Sequence, residues 1–221
     1  MERITSSQQA ITLEDHYGAH NYHPLPVVIS RGDGVFLWDV EGKRYYDFLS
    51  AYSAVNQGHC HPRIKEAMIE QVGKLTLTSR AFYNDKLGPF EKYITEYFGF
   101  DMVLPMNTGA EGVETALKLA RKWGYEKKGV AENSAKIIVA ENNFHGRTTT
   151  IISFSNDANA RKSFGPFTDG FIRIPYDDIP ELERALEIEG VVGFLVDQIQ
   201  GEAGVYTPAV DYIKRSKEAC L

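Results

Sequence analysis

Three near-continuous apolar runs of strand length most constrain what this chain can fold into. They lie at residues 136–140, 170–175 and 191–197, and amphipathic helical patterns at residues 111–124 and 179–187 separate some of them. Strands that are apolar on both faces suit a parallel sheet that helices cover on both sides. The second part of the chain is therefore predicted to form an α/β domain.

The beginning of the chain has a different pattern. Residues 1–20 read as a polar arm with one helical turn. Short alternating runs at residues 27–32, 34–40 and 43–49 are separated by glycine-containing turns, which is typical of antiparallel strands. A small antiparallel meander is therefore predicted here.

The meander leads into a loop and two helices. Small residues around Tyr52 predict an exposed, compact loop. Pro62 suits the first turn of a helix, which the apolar spacing extends over residues 63–73. A second amphipathic helix is predicted at residues 89–97.

Composition and charge exclude several classes of protein. The 221 residues include 24 basic and 30 acidic side chains, for a formal net charge of -6, and no basic stripe interrupts them. A nucleic-acid partner is therefore not expected. No apolar segment has the length of a membrane-spanning helix, so no membrane is expected either, and the N-terminal residues resemble neither a signal peptide nor a transit peptide. A cytoplasmic location is expected.

The cysteines indicate neither disulfides nor a metal site. Only Cys60 and Cys220 occur, far apart in the sequence, which fits a reducing compartment. Cys60 lies between His59 and His61, but adjacent residues rarely bind one metal ion, and zinc ligands are usually spaced by two to four residues. We expect no metal and interpret both histidines as polar side chains of a turn.

The segment NTGAEGVE, at residues 107–114, opens a helix. Thr108 and Glu111 have the spacing of a capping box, in which a hydroxyl and a carboxylate each accept a hydrogen bond from an unpaired amide. Gly109 and the small Ala110 leave first-turn amides bare at the positive end of the helix dipole, which suits a phosphate. From this segment alone, a plain helix start and a phosphate site both remain open.

Two further loops follow predicted strands, where the chemistry of a parallel sheet collects. ENNFHGRT begins at residue 141, and QIQGEAGV begins at residue 198. Arg147 could bind a carboxylate through two N–H groups, and Glu202 could neutralise it or recognise an amine. Taken singly, Arg147 reads as a surface ion-pair partner and Glu202 as a turn carboxylate. Three unusual loops near strand ends favour a shared site.

Five segments together resemble a known family. HNYHPLP, AYSAVNQGHCHP, NTGAEGVETALKLARKWGY, ENNFHGRT and GEAGV, in this order and spacing, are similar to the pyridoxal-phosphate-dependent class III aminotransferases. The likeness covers the chain from about Tyr17 to Cys220. Tyr22 and Tyr52, with their neighbours, resemble the ornithine-using branch, since acetylornithine and 4-aminobutyrate relatives carry other residues there.

The resemblance implies a fold and an assembly. The fold is the type I pyridoxal-phosphate-dependent transferase fold, with an incomplete, mostly parallel large domain at residues 60–221. Residues 1–59 would be an antiparallel segment of the small domain. The complete protein would be a homodimer whose active sites use both subunits.

The resemblance also implies a set of cofactor-binding residues. Thr108, Gly109 and Ala110 match the phosphate cup of the family. Phe144 matches the aromatic residue that stacks on the pyridine ring, and His145 is its neighbour.

A second set would bind the substrates. Arg147 matches the arginine that binds the α-carboxylate of ornithine, and Tyr22 would help to hold that end of the substrate. Tyr52 matches the tyrosine that favours ornithine over ω-amino acids. Glu202 matches a gate that holds a second arginine away while ornithine reacts, and releases it for 2-oxoglutarate and glutamate.

The reaction implied by the resemblance moves the δ-amino group of L-ornithine to 2-oxoglutarate, giving glutamate 5-semialdehyde and glutamate. It belongs to arginine metabolism and proline biosynthesis, and pyridoxal 5'-phosphate would carry the electrons. Two alternatives remain: a non-catalytic truncated product, or a related acetylornithine or 4-aminobutyrate aminotransferase.

The sequence departs from the family in two ways. The usual Val-Glu-Pro reads Val196, Asp197, Gln198, and a shorter acid without the proline predicts an altered loop. The family's Schiff-base lysine, its aspartate for the pyridinium nitrogen and the gate's partner arginine lie beyond the end of this sequence. Asp197 ends a predicted strand, so the residue pattern alone nominates it for the pyridinium, and we include it among the cofactor-binding residues.

No lysine of this sequence is well placed to replace the missing one, which must have a lowered pKa in a dry pocket. Four candidate lysines lie on predicted helices among polar residues: Lys118, Lys122, Lys214 and Lys217. Lys43 and Lys136 begin predicted strands. We therefore expect the 221-residue chain alone to bind little cofactor and to be inactive in transamination.

Overall fold

The computed structural model describes residues 3–202 and 204–221. The chain divides into two compact units, Met1–Tyr93 and Ile94–Leu221. The division at residues 59 and 60 refers to the domains of the complete family fold and stays a prediction.

The first unit contains the predicted antiparallel meander. Its strands are paired in the order β1-β2-β3. They are β1 Ile29–Asp33, β2 Phe36–Asp39 and β3 Arg44–Tyr46. Asp39 is buried and accepts hydrogen bonds from the Lys43 amide and the Tyr45 hydroxyl, both at 2.7 Å. These bonds, the Tyr45 hydroxyl first among them, hold the pKa of the Asp39 carboxyl below its usual value.

The N-terminal arm is more ordered than the sequence predicted. Instead of one turn, residues Ser7–Tyr17 form the eleven-residue helix α1. The Ser6 hydroxyl caps it by accepting from the Gln9 amide at 3.2 Å, and the Ser7 amide and hydroxyl both donate to the Glu41 carboxylate at 2.7 Å. The apolar residues of this segment follow no clear helical period, so only the cap and this distant carboxylate indicate the helix.

Two amphipathic helices follow, close to their predicted bounds. They are α2, Pro62–Val72, and α3, Leu87–Phe98. Pro62 lies in the first turn of α2, where its missing amide hydrogen costs nothing. Neither helix contains a buried residue.

A three-stranded parallel sheet forms the centre of the second unit. Its strands are β4 Lys136–Ala140, β5 Phe171–Ile174 and β6 Val191–Leu195, in the order β5-β4-β6. The central strand is almost fully buried, with Ile138, Val139 and Ala140 at 0% exposure. This confirms that the apolar run of the central strand is covered on both faces.

Helices pack on the two faces of this sheet. The described helical segments are α4 Gly109–Trp123, a π-helical turn at Gly124–Lys128, α5 Thr149–Ser153, α6 Ala158–Arg161, α7 Ile179–Leu186 and α8 Tyr212–Ala219. On one face, Leu117 of α4 packs with Ile137 and Val139. On the other, Leu182 of α7 and Tyr212 of α8 pack with Ile138. Alternate β4 side chains thus enter two separate cores.

Gly124 lets the end of α4 approach β6 closely. It is buried, and a Cβ at this position would overlap the Val192 side chain. The contact brings α4 down onto the sheet and thereby sets the position of its N-terminus near the strand ends.

Two negative findings apply to residues 3–202 and 204–221. No helix there is long and apolar enough to cross a membrane. No group of three or more histidine, cysteine or acidic side chains there could hold a metal ion.

Candidate active site

The loops that follow β4 and β6 meet, as the strand order predicts for neighbouring parallel strands. The Phe144 amide donates to Asp197 Oδ2 at 3.1 Å. Asp197 Oδ1 lies 3.5 Å from His145 Nδ1. One carboxylate at the end of β6 thus orients two consecutive residues of the loop after β4.

The N-terminus of α4 has the predicted capping box, with one difference. Thr108 Oγ1 accepts from the Glu111 amide at 3.1 Å. The Glu111 carboxylate accepts from the Asn107 amide at 2.8 Å, one residue before the N-cap. The amides of Gly109 and Ala110 belong to the first turn and have no partner within the helix, so they can donate to an anion.

Gly146 brings the loop after β4 against α4. Its φ is +124°, and a Cβ there would lie 3.1 Å from Ala110 Cβ and 3.2 Å from Ile151 Cδ1. A hydrogen bond of 2.5 Å from Thr148 Oγ1 to Glu114 Oε1 fastens the same loop to α4. All three loops predicted to share a site therefore converge within the second unit.

His145 is the buried titratable group at this junction. Its side chain is only 7% exposed. Burial lowers the pKa of the imidazole below its usual value, whereas the Asp197 charge acts in the opposite direction. Its Nε2 is buried and has no hydrogen-bond partner among the residues that the structure describes. A neutral imidazole with an unsatisfied nitrogen, beside bare helix amides, fits a site for a phosphorylated polar ligand.

Phe144 and Arg147 supply an aromatic and a cationic surface. Phe144 is 41% exposed, and the Arg147 guanidinium lies 5.3 Å from the centroid of its ring. Glu202 is exposed in the loop after β6, next to Ala203, which lies outside the described residues. The predicted proximity of Arg147 and Glu202 stays a prediction.

Tyr22 and Tyr52 belong to the first unit, and their association with the other site residues stays a prediction. Both are exposed, at 58% and 74%. Tyr52 lies in a series of turns at residues 50–57, which confirms the exposed, compact loop predicted from the sequence.

Gln200 links the two strand-end loops, a role that sequence reasoning missed. It is 3% exposed, and its Nε2 donates to the Glu141 carbonyl at 2.6 Å. Its backbone pairs with Tyr206 at 3.0 and 3.1 Å. Nothing in the local sequence distinguishes a buried loop glutamine from an exposed one. The neighbouring Gln198 carbonyl, at the position of the family's proline, accepts from the Tyr176 hydroxyl at 3.0 Å.

The lysines considered for catalysis lie away from dry surroundings. Those on helices are exposed: Lys118, Lys122, Lys214 and Lys217. Lys43 is exposed as well, and the amine of Lys136 donates to the Glu189 carbonyl at 2.9 Å.

A parallel sheet with a bare helix N-terminus, an exposed aromatic ring and an arginine at its strand ends defines a class of α/β enzymes that hold phosphorylated cofactors. Within that class, the chain belongs to the aminotransferase class-III family, whose model matches residues 17–221. This family is pyridoxal-phosphate-dependent, and the sheet and helices are part of its type I fold.

Individual relatives refine this placement. The chain is 60% identical over 214 residues to a mitochondrial ornithine aminotransferase of Drosophila ananassae, covering 97% of the chain and 50% of that relative. The crystal structure of the Toxoplasma gondii ornithine aminotransferase matches with a TM-score of 0.95 at 48% identity, over 99% of the chain and 52% of that protein.

A third match has a different name. The acetylornithine aminotransferase structure from Elizabethkingia anophelis has a TM-score of 0.85 and 66% identity, over 98% of the chain and 53% of that protein. The chain thus spans about half the length of the relatives it matches.

The comparisons correct one expectation. The predicted cytoplasmic location is wrong, because several close relatives, that of Drosophila ananassae among them, are named mitochondrial. The prediction rested on the lack of a spanning apolar segment, the N-terminal residues and the cysteine content. Low cysteine content fits any compartment that keeps thiols reduced and cannot identify the cytoplasm.

Proposed function

We propose that this chain is the N-terminal part of an ornithine δ-aminotransferase, which moves the δ-amino group of L-ornithine to 2-oxoglutarate. The products are glutamate 5-semialdehyde and glutamate. The observation that carries the proposal is the convergence of the α4 N-terminus with the loop of Phe144 and His145 at the ends of β4 and β6. Its chemistry suits a planar, phosphorylated cofactor.

Pyridoxal 5'-phosphate is the proposed cofactor. When bound, it supplies an aldehyde for the transferred amino group and a ring that withdraws electrons. The bare amides of Gly109 and Ala110, with the Thr108 cap, would hold its phosphate. The exposed face of Phe144 would stack on the ring, and the unpaired Nε2 of His145 would accept a hydrogen bond from the cofactor or from a water beside it.

Asp197 would act at this site through the loop it orients. Its carboxylate accepts a hydrogen bond from the Phe144 amide and lies next to the His145 imidazole. It would thereby keep the Phe144 ring in place. These two contacts support a positioning role. The strand pattern alone nominates Asp197 for contact with the pyridinium nitrogen, but the family places that aspartate on the next strand, so we assign Asp197 the positioning role.

Four residues would bind the substrates. Arg147 presents the two N–H groups that match a carboxylate, and we assign it the α-carboxylate of ornithine, with Tyr22 helping. Tyr52 would favour ornithine over ω-amino acids. Glu202, exposed at its turn, would act as the gate between ornithine and the dicarboxylate substrates.

Acetylornithine aminotransferase is the second candidate. The 66% identity to the Elizabethkingia anophelis protein favours it, whereas the name of the Drosophila ananassae relative favours ornithine. The two reactions differ in whether the donor has a free α-amino group. Substrate preference therefore distinguishes them.

The test uses the full-length protein loaded with pyridoxal phosphate. Ornithine, N-acetylornithine and 4-aminobutyrate are each supplied with 2-oxoglutarate, and the carbonyl products are identified by mass spectrometry. We expect glutamate 5-semialdehyde from ornithine at the highest kcat/KM. A higher kcat/KM with N-acetylornithine would replace the proposal by the second candidate.

An Arg147→Lys variant tests the substrate assignment in the same protein. Lysine keeps the charge but loses the bidentate geometry. We expect KM for ornithine to rise by about tenfold, since one bidentate interaction corresponds to about 1.4 kcal/mol or more. Cofactor absorbance is the control and should remain that of the parent. An unchanged KM would remove Arg147 from the carboxylate site.

We also propose that the full-length protein is a homodimer. Apolar residues on α2 are exposed, for example Met68 at 64% and Ile69 at 65%. Such a face is normally covered in an assembled protein. Light scattering after size-exclusion chromatography should give twice the mass of one chain, and the mass of a single chain would contradict the dimer.

A further inference from the structure

The Tyr52 loop contains a left-handed turn made without glycine. Ser50, Ala51, Tyr52 and Ser53 have φ angles of 48°, 49°, 56° and 69°. L-residues avoid this region because Cβ approaches the following carbonyl oxygen, and four in succession are rarer still. Such a backbone persists only where surrounding contacts determine it, and such places are enriched at functional sites.

Asp47 supplies those contacts at the start of the loop. Its Oδ1 accepts from the Leu49 amide at 3.0 Å and from the Ser50 amide at 2.8 Å. Its other oxygen, Oδ2, lies 2.6 Å from His59 Nε2. The two side chains are 10% and 22% exposed, so the contact is largely shielded from water.

His59 fixes the far end of the loop to the meander. Its amide donates to the Gly34 carbonyl at 2.8 Å, and the Gly34 amide donates back at 3.0 Å. The imidazole packs against Gly32, where a Cβ would come within 2.8 Å of His59 Cγ. The Asp47–His59 pair thus closes the loop over the turn between β1 and β2.

We propose that Asp47 and His59 are positioning residues for donor selection: together they hold Tyr52 where it discriminates between amino donors. The proposal rests on the proposed function, because it takes over the role assigned to Tyr52 there. The pair is not proposed to touch substrate or cofactor. It acts by making one backbone conformation of the loop dominant.

Kinetics of the full-length holoenzyme test this proposal. Asp47→Asn keeps one acceptor oxygen but loses the charge that pairs with His59, and His59→Gln removes the imidazole. We expect kcat/KM for ornithine to fall by about tenfold to a hundredfold, because small misplacements of a substrate-contacting group have effects of that size. The half-reaction with glutamate should change by less than about twofold, because this donor does not rely on the Tyr52 contact.

Double variants show whether the pair acts through Tyr52. If it does, Asp47→Asn combined with Tyr52→Phe should be no worse than Tyr52→Phe alone. Asp33→Asn, an exposed carboxylate on the same meander, is the matched control and should retain the parent kinetics. Hydrogen exchange measured by mass spectrometry should accelerate at residues 48–58 in Asp47→Asn and not in Asp33→Asn.

The outcomes are distinct. The positioning role would be overturned if Asp47→Asn and His59→Gln kept the donor selectivity of the parent. It would also be overturned if kcat/KM fell equally with ornithine and with glutamate. Ornithine would remain the donor in either case. Additive losses in the double variant would also overturn it. A parent enzyme that does not use ornithine would refute the proposed function itself, and the role of the pair with it.

Discussion

His145 and Asp197 illustrate how single residues join two loops of the candidate site. The imidazole is buried, and its charged form is disfavoured by loss of water but favoured by the nearby carboxylate. Since the pKa is lowered overall, burial is the larger effect. A substitution that removes the Asp197 charge but keeps the shape of the site should change the pKa of His145.

We predict that Asp197→Asn lowers the pKa of His145 further. The amide has the same size and can still accept from the Phe144 amide, but it no longer attracts a positive imidazole. An NMR titration of the histidine ring in the full-length protein measures the change, with His145→Gln used to assign the signal. A pKa that rises or stays constant would contradict the electrostatic explanation.

The same group gives a pH dependence of stability. The folded pKa of His145 lies below the unfolded value of 6.5, so the unfolded state binds more protons in the interval between them. The contribution of His145 is therefore fully present above pH 6.5 and lost as pH falls through the folded pKa. Denaturant unfolding across this interval should show a steeper loss for Asp197→Asn than for the parent, and the reverse order would contradict the sign.

Both ends of helix α4 contribute to the candidate site. Its C-terminal end lies against β6 through Gly124 and Val192. Its N-terminal end presents the Thr108 cap and the bare amides beside it. The packing of the first end positions the second.

At the C-terminal end, we predict that Gly124→Ala destabilises the protein by about 1–3 kcal/mol, because the added methyl group overlaps Val192 in a packed core. Gly193→Ala is the matched control on the same interface. There the new Cβ would lie 3.7 Å from Ala120 Cβ, an ordinary contact. Chemical unfolding compares the two variants, and equal stabilities would refute the close approach.

At the N-terminal end, we predict that Thr108→Ala lowers stability by about 1 kcal/mol and weakens binding of pyridoxal phosphate. Asp178 caps α7 in the same way, accepting from the Glu181 amide at 2.9 Å. Asp178→Ala should therefore cost similar stability and leave cofactor affinity unchanged. Equal loss of affinity in both variants would mean that Thr108 acts only through helix stability.

Apolar burial is concentrated in one of the two units of the chain. Among the described residues, every buried hydrophobic side chain lies between Leu117 and Tyr212. The Met1–Tyr93 unit contributes the buried Asp39, and the apolar side chains of its helix α2 are exposed. The two units therefore differ in how much hydrophobic stabilisation each contains.

We predict that the 221-residue chain exchanges its amide hydrogens very unevenly. Amides of β4, whose central residues are fully buried, should exchange last, and those of α2 should exchange early. Hydrogen exchange with mass spectrometry measures both. In the full-length protein the amides of α2 should exchange more slowly, since we propose that the apolar face of this helix is covered there. Similar exchange rates for α2 and β4 in the 221-residue chain would contradict the prediction.

Much of the second unit was predictable because its signals are local. The run at residues 136–140, the helical period of α4 and the Thr108–Glu111 capping box depend on residues a few positions apart. The parallel direction of β4 and β6 followed from covering helices and apolar runs, whereas their place side by side in the sheet was not predicted. The meeting of their loops then followed from geometry.

The remaining features depend on contacts between distant residues. Helix α1 is anchored to Glu41, 34 positions from Ser7. The Asp197 contact with Phe144 spans 53 positions, and that of Gln200 with Glu141 spans 59. The local sequence around these residues would be the same if the loops made no such contacts. No periodicity in the sequence could therefore predict the contacts.

By itself, the sequence determined the strands, the main helices and the residue types at their ends, because apolar periodicity and capping act over one or two turns of chain. Only the tertiary structure decided that Asp197 orients Phe144, that Gln200 is buried and that His59 closes the Tyr52 loop on Asp47. The Asp197 and Gln200 contacts form when packing of the apolar faces of the second unit brings distant backbone segments together, whereas the His59 contact forms where the His59 backbone pairs with Gly34. The polar groups then pair because burial without a partner is costly.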